Sequence, residues 1–134
     1  MSRTLGVDYG TKRVGLAISD PLGLTARPLA VVTRSSAVEE VVNLVKEQDV
    51  GTIVVGLPTG LSGDEGTSAS EARKLADELG LATGVDVVLR DERYTSRMAE
   101  TALVESGMKR RQRRESVDKV AAAIILQDFL DSNR

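Results

Sequence analysis

Cysteine and histidine are both absent from this chain of 134 residues. Without cysteine there are no disulfides, no thiolate metal sites and no cysteine nucleophiles. Without histidine there is no imidazole base, no Ser-His-Asp triad and no usual zinc ligand set. Catalysis by this chain would therefore run on carboxylates, hydroxyls, lysine, arginine or a hard, oxygen-bound metal such as magnesium or manganese. Aromatic residues number three, Tyr9, Tyr94 and Phe129, too few for a platform on which single-stranded bases stack. No apolar run approaches the length of a membrane span and no signal peptide precedes the first strand, so a cytoplasmic protein with no membrane partner is expected.

What is present is ordinary for a globular protein: 41% hydrophobic and 28% charged residues. The length suits one well-buried core and is short for two ordinary domains, so residues 1–134 are read as a single domain. A formal net charge of −2 does not advertise a polyanion partner, yet the distribution does. Lys109, Arg110, Arg111, Arg113 and Arg114 place five positive charges in six residues. Alone, such a run is more often a solvated loop than a binding site.

The chain is organised around Leu5 to Asp20. Leu5 and Val7, then Val14, Leu16 and Ile18, alternate with the period of half-buried strands, and a polar turn with Gly10, Thr11 and Lys12 joins them. Asp8 shares the parity of Gly6 and Thr4, so it points away from the face of Leu5 and Val7. A third strand is expected over 27–33 and continuous β runs over 52–55 and 85–89. Helices are expected after capping boxes at Ser36–Glu39 and Ser68–Glu71, between Thr95 or Ser96 and Gly107, and from Ser116 to about Asp131, with the basic run as a loop before the last. Right-handed crossovers then give a five-stranded mixed sheet of order 3-2-1-4-5 with helices on both faces, an α/β fold. The ends of strands 1, 4 and 5 share the edge where ligands sit in open α/β sheets. Asp8 and Glu92 close strands 1 and 5 there. Asp118 prolongs the inward stripe of Ala122, Ile125 and Phe129 on the last helix.

Each acid has a plain alternative: turn chemistry for Asp8, a solvated acid for Glu92, favourable placement in a first helical turn for Asp118. Convergence would change that. Carboxylates ~4 Å apart repel by about 4 kcal/mol at an effective dielectric near 20, and a divalent cation relieves the repulsion where helix capping does not. Two such cations among carboxylates are a known way of making water attack a phosphodiester, and no histidine is needed.

The residues 8–15 (DYGTKRVG), 55–58 (VGLP), 91–95 (DERYT) and 117–127 (VDKVAAAIILQ) resemble the four motifs of the YqgF/RuvX family, in the right order and over essentially the whole chain. The resemblance implies a ribonuclease H-like fold and a metal-dependent nuclease using Mg2+ or Mn2+. Its substrate would be structured RNA, at the 5′ end of precursor 16S ribosomal RNA, or branched DNA, at Holliday junctions, or both. Asp8, Glu92 and Asp118 match the family's acidic positions, and Arg13 and Arg93 its basic ones. RuvC-type resolvases carry an acid after strand 4, where this chain has Gly56-Leu57-Pro58, so Glu92 would substitute. Asp91 and Asp20 are further acids between which the residues do not choose. On this reading Asp8, Glu92 and Asp118 hold the metal. Lys12, Arg13 and Arg93, with Lys109, Arg110, Arg111, Arg113 and Arg114, hold substrate phosphates. The glycine-rich loop 56–67 either lies over the substrate or is a plain surface loop.

Two other function classes stay open. A non-catalytic adaptor for nucleic acid or ribosome assembly would keep the fold and basic run without metal. Asp-x-Gly-x-x-x-x-Gly after a first strand also resembles the phosphate loop of actin-like ATP-binding proteins, which use two such domains. A monomer suffices for trimming an RNA end, whereas resolving a junction calls for a symmetric homodimer.

Overall fold

The computed structural model describes residues 2–57, 67–91 and 110–132. Strands β1 (Arg3–Asp8) and β2 (Arg13–Ser19) form the antiparallel hairpin, with Leu5 opposite Ile18 and Asp8 opposite Gly15. β3 (Ala26–Thr33) pairs antiparallel with β2, bringing Thr33 opposite Arg13. α1 (Ala37–Glu47) leads to β4 (Val50–Leu57), parallel to β1 with Gly56 beside Asp8. α2 (Thr67–Thr83) leads to β5 (Asp86–Asp91), parallel to β4. α3 (Arg110–Ser132) is the last described helix. The sheet order is β3-β2-β1-β4-β5, as the strand pattern and crossover rule require.

Alternation in the strands divides the molecule into two layers of core. Leu5, Val7, Leu16, Ile18, Ile53 and Val55 are buried against Val41 of α1 and Leu75 and Leu79 of α2. On the other face, Ala17 and Val54 are buried with Ala122, Ile125, Leu126 and Leu130 of α3. This second face carries small residues because the helix lies close to it. A methyl group at Gly6 would sit 2.8 Å from both the Ala122 carbonyl oxygen and Leu126 Cβ, and one at Gly15 would run into the Asp118 carbonyl. The glycines let α3 settle onto β1 and β2, and they fix where Asp118 lies.

The basic run is not a loop. Residues 110–116 open α3, so this helix starts at Arg110 instead of Ser116. Arg, Gln and Glu are all strong helix formers and nothing after Gly107 breaks the pattern, so propensity outweighs the charge density that suggested a loop. Neither expected capping box forms as read. Ser36 precedes α1, but its Oγ lies 2.7 Å from Thr33 Oγ1 and donates to the Thr33 carbonyl at 3.2 Å, with no bond to the helix N–H groups. Ser68 is already inside α2, and a capping residue must have a non-helical backbone. α2 runs on past Gly80 to Thr83 and stops at Gly84, whose φ of 74° is left-handed and whose N–H reaches the Gly80 carbonyl at 2.9 Å. The helix expected over 95–107 and most of the glycine-rich loop, residues 58–66, lie outside the described residues.

Candidate active site

Asp8 closes β1 at the sheet edge where β4 and β5 also end, and it is only 4% exposed. Its cross-strand neighbour Gly15 leaves open the space that the Asp118 backbone fills. Opposed residues of an antiparallel pair lie about 5 Å apart at Cα and share a face. The fold therefore brings the Asp8 and Asp118 segments together on the α3 side of the sheet. This juxtaposition follows from Gly6 on β1 and Gly15 on β2, which leave α3 room to lie against the sheet. It was invisible to periodicity alone.

Asp118 meets Arg13, whose Nε lies 3.4 Å from Oδ2, with side chains 24% and 53% exposed respectively. Burial pushes the Asp118 carboxyl above its ordinary range, and the Arg13 charge opposes the rise without cancelling it. An open pocket of about 590 Å³ adjoins the pair, lined by Gly10, Thr11, Lys12, Arg13, Thr33 and Asp118. Lys12 and Arg13 thus share one cavity with Asp118.

Thr11 and Thr33 are pocket residues that sequence reasoning missed. The signal for Thr33 was available in principle, since the end of β3 must pair with the start of β2 once the hairpin order is known. Arg34 was missed too. Its N–H donates to the Lys12 carbonyl at 2.9 Å, its guanidinium ion-pairs with Glu78 at 3.4 Å, and it lies 6.0 Å from the centre of the Tyr9 ring. These contacts tie the Asp8–Arg13 turn to α2 and to the first core layer.

The remaining sequence candidates fall differently. Glu92 and Arg93, directly after β5, and Lys109, directly before α3, lie outside the described residues. Arg110, Arg111, Arg113 and Arg114 are helical. Asp20 is excluded from the site. It follows β2 at the opposite end of the sheet, five residues and so roughly 17 Å beyond Gly15. There its carboxylate accepts from the N–H groups of Leu24 at 2.7 Å and Thr25 at 3.0 Å, and the Thr25 bond leads in holding its pKa below the ordinary value. Asp91 is paired with Leu57, one step out of phase with Asp8 and Gly56, which puts it on the other face of the sheet. Among the described residues no group of three or more acids gathers tightly enough to hold a metal ion.

The family model described as RuvX, Holliday junction resolvase, matches residues 2–132. The chain belongs to the RuvX family. It is 48% identical over 132 residues to a protein of Anaeromyxobacter sp. (strain Fw109-5) named "Putative pre-16S rRNA nuclease", covering 96% of each chain. A protein of the same name from Myxococcus xanthus is 44% identical over 135 residues, covering 98% of this chain and 89% of its own. Among solved structures, RuvC of T. thermophilus in complex with a Holliday junction substrate aligns with a TM-score of 0.60 at 17% identity, covering 99% of this chain and 96% of that one. The Fowlpox virus resolvase in complex with Holliday junction DNA aligns at 0.63 and 12% identity, covering 98% of each. The two structures share the fold. RuvX membership makes the chain an enzyme of the nuclease class and leaves the adaptor and ATP-binding readings without support. No helix among the described residues is long and apolar enough to cross a membrane.

Proposed function

We propose that the chain is a single-domain, metal-dependent nuclease that hydrolyses phosphodiester bonds at the Asp8–Asp118 edge of the sheet, in precursor 16S ribosomal RNA or at branched DNA. The observation that supports this reading is a buried Asp8 whose cross-strand neighbour Gly15 lies against the Asp118 backbone, with the Asp118 carboxyl partly desolvated and paired with Arg13. Perturbed carboxyls beside an open pocket cluster at functional sites, which favours a cation ligand here. The donors are carboxylate oxygens, which suit Mg2+ or Mn2+.

Asp8 and Asp118 would hold the metal, with Glu92 entering from the segment after β5. Metal bound there would lower the pKa of a coordinated water and stabilise charge on the phosphoryl oxygens. Asp8, fixed at a strand end and buried, sets the position of that charge. Lys12, on the pocket wall, would hold a backbone phosphate, as would Arg93. Lys109, Arg110, Arg111, Arg113 and Arg114 would hold further backbone phosphates of the substrate.

The test is cleavage of a four-way DNA junction and of a precursor 16S RNA, side by side, in Mg2+ or Mn2+. Cleavage of either, abolished in Asp8→Asn and by chelation, is expected. Undiminished cleavage by Asp8→Asn would remove Asp8 from the mechanism. Which substrate is cut decides between RNA processing and junction resolution, and the latter calls for a dimer with two symmetric sites.

A further inference from the structure

Arg13 occupies a position with two demands on it. Its guanidinium is the cation nearest the Asp118 carboxylate among the ion pairs of the described residues, at 3.4 Å, yet half of its side chain faces solvent in the same pocket as Lys12 and Thr33. The backbone does not dictate this contact. Arg13 opens β2, opposite Thr33 at the sheet margin, and a long flexible side chain from there could equally lie along the open pocket. The partly desolvated Asp118 draws it inward.

We infer that Arg13 is the resident counter-ion of Asp118 in the metal-free protein, and that a divalent cation displaces it onto a phosphate oxygen of the substrate. The inference rests on the metal-dependent reading above. A divalent ion on Asp118 and a guanidinium at 3.4 Å from the same carboxylate repel each other, so both cannot hold it at full strength. Once released, the arginine is already in the pocket beside Lys12, and a phosphodiester oxygen is the anion the substrate supplies there. Metal and nucleic acid then each remove the obstacle to the other. By linkage the coupling is reciprocal: bound phosphate raises metal affinity by the factor by which metal raises phosphate affinity. Arg13 thus neutralises Asp118 until metal binds and then contacts the substrate phosphate, so full assembly depends on both ligands.

The sign of the effect makes the idea testable. Removing a positive residue from a phosphate-binding pocket should strengthen metal binding. Mn2+ titration calorimetry on wild type, Arg13→Gln and Lys12→Gln, without nucleic acid, is expected to show affinity about two- to tenfold higher in Arg13→Gln. Lys12→Gln removes the same charge from the same pocket, and its gain should be clearly smaller. Adding a phosphorothioate-protected oligonucleotide should raise Mn2+ affinity in wild type and raise it less in Arg13→Gln. A partly unfolded variant would bind less metal, the opposite direction, and urea denaturation of each variant identifies that case. Equal or weaker affinity in a folded Arg13→Gln overturns the inference while leaving the metal site standing. So does an equal gain in Lys12→Gln, or equal enhancement by the oligonucleotide. Absence of Mn2+ binding to wild type overturns both the inference and the metal-dependent reading.

Discussion

Gly15→Ala probes the close approach of β2 to α3 that sets where Asp118 lies. The added methyl group would meet the carbonyl of Asp118, which is helix backbone and cannot rotate away as a side chain would. Either α3 lifts from β2 or the hairpin bends. Overpacking of this kind costs about 1–3 kcal/mol. For a chain of this length each kcal/mol corresponds to about 4 °C in Tm, so a fall of roughly 4–12 °C is expected. Gly6→Ala is the matched comparison, since its methyl meets the Ala122 carbonyl and Leu126 Cβ, each at 2.8 Å, one helical turn or more from Asp118. Both variants should lose stability in thermal and urea denaturation. Only Gly15→Ala should also misplace Asp118 relative to Asp8, and a displacement of about 1 Å at a reacting centre costs on the order of 100-fold in turnover. A Gly15→Ala protein of unchanged stability would refute the packing argument. One that is destabilised but cleaves at the wild-type rate, at a temperature where it is folded, would refute the link between that packing and the site.

Asp118→Asn should raise the stability of the metal-free protein at pH 7. The raised carboxyl means that the folded state binds the proton more tightly than the unfolded chain. Its favourable contribution is present below the ordinary carboxylate value and is withdrawn as pH climbs through the raised one, so urea denaturation at pH 7 should favour Asn and at pH 3 should not. Asp20 has the opposite sign: its lowered pKa gives a contribution present above about pH 4 and lost as pH falls through the depressed value. NMR titration should find Asp20 below an ordinary aspartate, and Asp20→Ala should abolish the protection of the Leu24 and Thr25 amides from hydrogen exchange. Arg113→Gln should flatten the dependence of log affinity on log salt for duplex DNA by roughly 0.9, and an unchanged slope would place Arg113 away from phosphate.

The parts of this fold that were legible in the sequence are those set by local periodicity. Leu5, Val7, Leu16 and Ile18 announced a hairpin, and crossover handedness supplied the strand order. Helix starts were less legible because the same residues serve several ends. Ser36 has the chemistry of a cap and spends it on Thr33, and arginines dense enough to suggest a solvated loop are also good helix formers. Acid placement divided the same way. The parity of Asp8 was readable, and Asp20 could have been dismissed by counting residues along an antiparallel strand. The pairing of Arg13 with Asp118 was not readable, because it depends on how closely α3 approaches the sheet, and that is set by Gly6 and Gly15 acting across more than 100 residues of chain.

The most direct test of the central claim is anomalous diffraction from crystals of the wild-type protein soaked in Mn2+. A peak within coordination distance of both the Asp8 and Asp118 carboxylates, absent from Asp8→Asn crystals, is what the account predicts. Full occupancy of Mn2+ elsewhere on the chain, with these two carboxylates left without metal, would contradict it.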